Sequence, residues 1–272
     1  MTTNAAHGTP VGAASHPGAR FVASKVPEVT LVFWLLKVAA TTLGETGGDT
    51  VTMTLGWGYL AGSALFVTLL VVLALTQIRV RRFNRWLYWA TIVASTTFGT
   101  TMADFADRSL GIGYTGGTAL LLVLLLGTLG LWYRVHGTLA VESVANPRVE
   151  AFYWTAITFS QTLGTALGDW AADSGGLGYR GGVLVFAGAL VVIAALYFFT
   201  HLSRVWLFWA AFILTRPLGA TAGDALDKPL SDGGLALSRP LASLIIALFI
   251  IVCLLVLPQR AGRHPVPAGS QA

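Results

Sequence analysis

Four aspartates recur in one register. Asp49, Asp104, Asp169 and Asp224 each stand fifteen residues after a tryptophan, at Trp34, Trp89, Trp154 and Trp209, with no gap needed in any copy. Ten residues after each Trp comes a glycine, at Gly44, Gly99, Gly164 and Gly219. Between them lie Thr42, Thr97 and Thr162, eight residues after their Trp, and a single glutamate, Glu45, whose equivalents are Thr100, Thr165 and Ala220. Carboxylate and hydroxyl oxygens in such numbers suit a small hard cation, Mg²⁺, Mn²⁺, Ca²⁺, Na⁺ or H⁺, better than a soft metal. Glu45, Asp49, Asp104, Asp169 and Asp224 are thus the candidate cation ligands, and the Thr residues and Arg216 complete a candidate ion path.

These residues share a helix face. Offsets of 7, 8, 11, 12 and 15 from the Trp fall within an arc of roughly 140° at about 100° per residue. The glycines and the small residues four positions later form a small-xxx-small pair in each copy, which lets helices approach closely. Packing therefore explains the Gly and Thr residues taken alone, but not the carboxylates. An acid at membrane depth costs roughly 2.5–3.5 kcal/mol even on mild scales, and a helix C-terminus disfavours negative charge by about 0.3–1 kcal/mol. Two readings of the Asp set stay open: acceptors that anchor the Gly-rich turn following each helix, or a set of carboxylates that draws cations into a bundle. Glu45 is unrepeated and deeper, so turn anchoring does not cover it. Lys37 lies on the same face, and Arg216 sits mid-span beside Pro217, so pairing of Glu45 with Arg216 is the expected way to keep either charge buried.

The elements that position these residues must cross a membrane. Of the 272 residues 55% are hydrophobic and 11% charged, against about 25% charged in a soluble domain. A hydrocarbon core needs roughly 20 apolar residues per helix, and stretches of that length lie near 29–50, 57–78, 86–105, 115–134, 150–171, 181–200, 203–223 and 238–257. The fold class expected is all-α integral membrane: eight transmembrane helices from four tandem, same-orientation helical hairpin repeats. The repeats span about 25–80, 81–135, 146–200 and 201–257, and the long connection 135–149 divides them into two pseudo-equivalent halves. Residues 1–24 and 258–272 read as disordered tails. Of the 17 basic residues, 11 fall on the termini and even-numbered connections and four on the opposite side, which places both termini in the cytoplasm of a cell (inner) membrane.

The repeat of Trp, Gly and Asp resembles a bacterial family of membrane proteins built from four tandem two-helix units, each with a characteristic Trp, over residues 25–257. The resemblance implies an integral membrane protein and supplies no chemistry, because the function of that family is unassigned. The residues favour a transporter or channel for a small cation, with a structural or accessory membrane protein as the alternative. Enzymatic activity and cofactors are not expected. A lone Cys253 excludes a disulfide framework. No phosphate-loop motif stands in a strand–helix context, and the net charge of +5 fits basic loops near anionic lipid rather than nucleic acid. His136 and His201 recur at one offset and would be the axial ligands of a haem protein, although a helix-end His needs no such role. The Trp set reads as an aromatic belt at the basic interface, matched by Tyr59, Tyr114 and Tyr179 at the other. Substrate, coupling, direction and oligomeric state are not legible.

Overall fold

The computed structural model describes residues 21–265. Eight long helices follow one another: α1 (Leu31–Asp49), α2 (Gly58–Arg79), α3 (Arg85–Asp104), α4 (Tyr114–His136), α5 (Pro147–Asp169), α6 (Gly178–Phe199), α7 (Arg204–Asp227) and α8 (Arg239–Val256). Local chemistry sets several starts. Thr30 accepts from the Phe33 amide, Asn84 from those of Trp86 and Leu87, and Asn146 from that of Val149, so orphan N–H groups of α1, α3 and α5 are satisfied. The α4 helix stops at Gly137, which adopts a left-handed φ of 72°. Each of α1, α3 and α5 passes directly after its repeated Asp into a π-helical turn, at Thr50–Thr54, Phe105–Ser109 and Trp170–Ser174. The fourth copy differs, since α7 runs as one helix through Pro217 to Asp227.

The odd-numbered helices form a closed inner ring in which α1 packs on α3 and α7, and α5 packs on the same two. The even-numbered helices form an outer layer, each leaning chiefly on the first helix of the next repeat: α2 on α3, α4 on α5, α6 on α7, and α8 back on α1. The last repeat thereby closes on the first. Where α8 meets α1, Ser243 donates to the Thr46 hydroxyl at 2.9 Å.

Glycines make the ring possible. The space that a Cβ would need at Gly44, Gly99, Gly164 and Gly219 is filled by Thr96, Gln161, Arg216 and Thr41 respectively. In every copy, then, the glycine ten residues after the Trp receives the side chain at offset seven of the next inner helix. One helical turn on, Gly48 receives Thr100, Gly168 receives Ala220 and Gly223 receives Glu45. The packing reading of the small residues holds, and every interlock but that of Gly168 with Ala220 seats a polar residue of the next inner helix against a glycine.

Burial follows the layers. Ring-facing polar side chains of the inner helices, among them Lys37, Thr41, Glu45, Asp104, Gln161 and Arg216, are buried, while outer helices expose Val123, Leu184, Val191, Leu244 and Val252. Five helices, α2, α4, α6, α7 and α8, are long and apolar enough to cross a membrane. The remaining three, α1, α3 and α5, carry polar residues that face one another inside the ring, and they stand in the same ring as α7.

The tails expected at 1–24 and 258–272 need correction at their inner ends. Phe21–Pro27 forms β1 and pairs antiparallel with β2 (Ala261–Pro265), joining the two ends of the chain. The signal for order was a buried charge: Lys25 lies 2.5 Å from the Glu150 carboxylate and donates to the carbonyls of Gln77 and Ile78. Ser24 donates to Val141, so this ribbon also grips the connection between the halves. Positions 1–20 and 266–272 of the expected tails lie outside the described residues.

The interlock can be tested at a position where the neighbour cannot move aside. A Cβ at Gly99 would lie 2.9 Å from the backbone carbon of Gln161, whereas nothing lies within 4 Å of one at Gly127. Gly99→Ala is expected to lower stability by about 1–3 kcal/mol in thermal or denaturant unfolding of the detergent-purified protein, while Gly127→Ala leaves it unchanged or slightly higher. Equal effects at the two positions would remove the interlock as a determinant of the ring.

Candidate functional site

The ring interior is a stack of levels, one per helical turn. Nearest the termini, the residue before each repeated Trp packs on the Trp of the next copy: Phe33 on Trp89 at 5.6 Å, Tyr88 on Trp154 at 5.8 Å, Tyr153 on Trp209 at 6.5 Å and Phe208 on Trp34 at 5.6 Å between ring centroids. Tyr88 and Tyr153 share a buried hydrogen bond of 2.6 Å. The belt expected of these Trp residues gives way to a plug, because Trp89, Trp154 and Trp209 are buried. Trp89 donates to Gln259 and Trp209 to the Leu139 carbonyl. Interfacial exposure falls instead to Trp86 and Trp206 at the starts of α3 and α7 and to Trp57 and Trp170 at the other face.

The next level, three residues after the Trp, holds Lys37, Ile92, Ile157 and Phe212, all fully buried. The Lys37 ammonium stands 4.1 Å from the centre of the Phe212 ring and donates to Gln161 Oε1 at 3.4 Å. One turn further are Thr41, Thr96, Gln161 and Arg216, again fully buried. Arg216 can reach the axis because Gly164 leaves room for its Cβ and Cγ.

At the following level Arg216 meets Glu45. Both terminal nitrogens of its guanidinium lie 3.0 Å from Glu45 Oε2. The same guanidinium donates to Thr100 Oγ1 at 2.6 Å and to Thr165 Oγ1, and Thr100 donates to the carboxylate at 3.2 Å. All four inner helices thus contribute to one buried polar cluster. The pairing expected from the sequence is present, and the two Thr equivalents of Glu45 are its hydrogen-bonding neighbours. Thr42, Thr97 and Thr162, by contrast, donate to the carbonyls of Val38, Val93 and Thr158 four residues earlier in their own helices. They belong to the interior by burial, and their hydroxyl protons are spent on backbone.

The four repeated aspartates are buried at the far end of the ring. Among the described residues no hydrogen bond to any of them from the Gly-rich turn after it is seen, so the anchoring alternative gains no support from the contacts. Three are paired with cations that the sequence reading left out: Asp104 with Arg108 at 3.0 Å, Asp224 with Lys228 at 3.1 Å, and Asp49 with Arg239 at 3.5 Å and Lys228 at 3.7 Å. Asp169 has no cation within ion-pair distance among the described residues, although Asp104, Asp224, Glu45 and Arg108 act on it electrostatically. Spacing held the missing signal, because Arg108 and Lys228 each follow their Asp by four residues on the same helical side. Beyond the end of α7, burial works against the charge of Lys228, but Asp224 and Asp49 outweigh it and hold its ammonium above the usual lysine range.

Glu45, Asp49, Asp104, Asp169 and Asp224 do not form a ready metal site. Among the described residues no three His, Cys, Asp or Glu side chains gather closely enough to share an ion. The reason is electrostatic: Glu45 is taken by Arg216, Asp104 by Arg108 and Asp224 by Lys228, while Asp49 shares Lys228 with Asp224 and Arg239 with Asp227.

Residues 32–83, 87–138, 152–203 and 207–260 each match a family described as Repeat of Unknown Function (DUF347). The chain belongs to the DUF347 family. The matched stretches start just before each Trp and end just past each outer helix, so one DUF347 unit is one inner helix plus one outer helix. The chain is a multi-pass membrane protein of four such units. No curated protein and no solved structure matches it.

Removing one partner of the central pair strands the other charge in a dry interior, which costs about 3–5 kcal/mol, while replacing both by apolar groups is often neutral. Arg216→Met is therefore expected to lower the unfolding midpoint sharply in detergent, and the double variant Glu45→Met/Arg216→Met to recover most of that loss. Additive losses in the two single variants would deny the coupling between them.

Proposed function

We propose that the chain is a transporter, not an enzyme, that carries a small hard cation or a proton along the axis of the inner ring, with both termini in the cytoplasm of the cell membrane. The observation that carries this reading is the Glu45–Arg216 pair, held at the centre of the ring by two threonines from other helices. A buried ion pair is weak support for stability, and ionisable groups inside a membrane bundle mark ion or proton paths by default. The acidic level formed by Asp49, Asp104, Asp169 and Asp224 is the entrance, and Asp169, which has no paired cation among the described residues, is the first stop for an incoming ion. Arriving at Glu45, the cation competes with Arg216 for one carboxylate. The aromatic plug closes the path toward the termini, so passage requires the inner helices to move. Lys37 and Arg216 on the axis oppose free cation leakage, which favours a coupled carrier over an open channel.

The alternative, a structural or accessory membrane protein without transport, draws support from the Gly interlocks and from the pairing of three of the four aspartates, since both account for polar residues as packing. Vesicles reconstituted with the protein separate the two. Uptake of at least one of H⁺, Na⁺, Mg²⁺, Mn²⁺ or Ca²⁺ is expected to exceed that of empty vesicles, and Glu45→Gln to reduce it at least about tenfold, the effect of roughly 1.4 kcal/mol on a barrier. Wild-type vesicles no leakier than empty ones to all five ions, or undiminished flux in Glu45→Gln, would sink the carrier reading.

A further inference from the structure

The level of the ring between the aromatic plug and the central ion pair holds more positive charge, and more hydrogen-bond donors, than its neighbours can use. Lys37 and Arg216 are both fully buried, and among the described residues the one carboxylate within ion-pair distance of either is Glu45, beside Arg216. Lys37 has no acid partner among the described residues, and its one hydrogen bond goes to a neutral amide, Gln161 Oε1 at 3.4 Å. An ammonium has three donors, so two are left over. The other end of that same amide, Gln161 Nε2, is buried and unpartnered, as are Arg216 Nε and the hydroxyl of Thr96. These groups lie on α1, α3, α5 and α7, at offsets three and seven from the repeated Trp, on adjacent levels of the ring; Lys37 reaches Gln161 at 3.4 Å and the Arg216 guanidinium reaches the Thr96 carbonyl at 3.5 Å. Unused N–H donors on three different helices, around one uncompensated positive charge, match a small acceptor of charge −1.

We propose that the ring binds a halide-sized monovalent anion, chloride under ordinary conditions, between Lys37 Nζ, Gln161 Nε2, Arg216 Nε and Thr96 Oγ1. The anion neutralises the excess charge of the Lys37, Arg216 and Glu45 group and supplies the acceptor those donors lack. Size is limited because the site lies between the Phe212 ring with the aromatic plug on one side and the Glu45–Arg216 pair on the other, with every lining residue fully buried. A neutral Lys37 would remove the charge, but it would leave the Gln161 and Arg216 N–H groups as unsatisfied as before. This site is separate from the acidic entrance, and its occupancy does not depend on any cation moving through the ring.

The test is an equilibrium measurement and involves no flux. Full-length protein in detergent, exchanged into sodium gluconate, is titrated with sodium bromide while thermal unfolding is followed. The wild-type Tm is expected to rise saturably by a few degrees, because a ligand that binds only the folded state stabilises it in proportion to the logarithm of its concentration over Kd. Lys37→Met and Gln161→Leu are expected to abolish the saturable rise while keeping any linear salt effect. Since either variant can fail to fold, wild-type crystals soaked in bromide supply a second readout: an anomalous peak between Lys37 and Gln161 is expected. No anomalous peak there, a saturable rise that persists in both variants, or only the same non-saturating response with gluconate as with bromide would overturn the anion site and leave ordered water as its occupant.

Discussion

Hydrocarbon offers nothing to solvate a guanidinium or a carboxylate, so Arg216 and Glu45 can exist at the centre of this molecule only inside a wall made by the protein itself. Much of the architecture follows from that demand. Four helices close into a ring so that the charges never meet lipid, and an outer helix backs each inner one. Thr100 and Thr165 take part because a single carboxylate cannot satisfy the whole guanidinium. Gly164 is needed because the stem of Arg216 runs through the space its Cβ would occupy. Against these requirements the pair returns little net stability, since desolvation of two ions offsets most of their attraction. Its presence therefore calls for a reason beyond holding the fold together.

The frame is repeated, and its contents are not. Every inner helix offers a glycine at the same offset, and every next helix fills it from the same position, but the fillers are Thr41, Thr96, Gln161 and Arg216. One turn closer to the termini the same comparison gives Lys37 against Ile92, Ile157 and Phe212; one turn further it gives Glu45 against two threonines and an alanine. A strictly symmetric ring would place four identical side chains around one axis. Four arginines or four glutamates there would repel one another in a low dielectric. Placing one arginine at its level and one glutamate at the next gives opposite charges on the last and first inner helices, which are neighbours only because the ring closes. Closure of the chain on itself and the charge pair are thus two aspects of one arrangement.

How much of this was legible in the chain depends on whether the physics was local. Helix positions, the four-fold register, the inward polar stripe and the pairing of Glu45 with Arg216 follow from periodicity and from the cost of a lone buried charge. The Asp partners were only half visible: Arg108 and Lys228 lie one turn from their acids, but Arg239 reaches Asp49 from α8, a contact no spacing announces. Burial of the Trp residues was misread for a similar reason. Their distance from the helix start suits an interface, and only the ring shows that each has an aromatic neighbour from the preceding repeat. The ribbon of β1 and β2 was hidden because its order comes from Lys25 reaching Glu150 across more than a hundred residues of sequence, while its own composition is that of a tail.

The two ends of the ring are closed by different kinds of interaction, and this bears on how such a molecule could work. At the terminal end the seal is made of aromatic faces in mutual contact, backed by a Tyr–Tyr hydrogen bond and by indole N–H groups tied to the loop and the C-terminal segment. Such packing has no substitute in solution, so opening it means separating whole helices. At the acidic end the closure consists of carboxylates held by Arg108, Lys228 and Arg239, the first and last of which are partly exposed. Ions and water can replace those partners one at a time without moving the backbone. In the structure described the charged centre therefore lies between an aromatic seal toward the termini and a buried level of four aspartates, three of them ion-paired, at the opposite end.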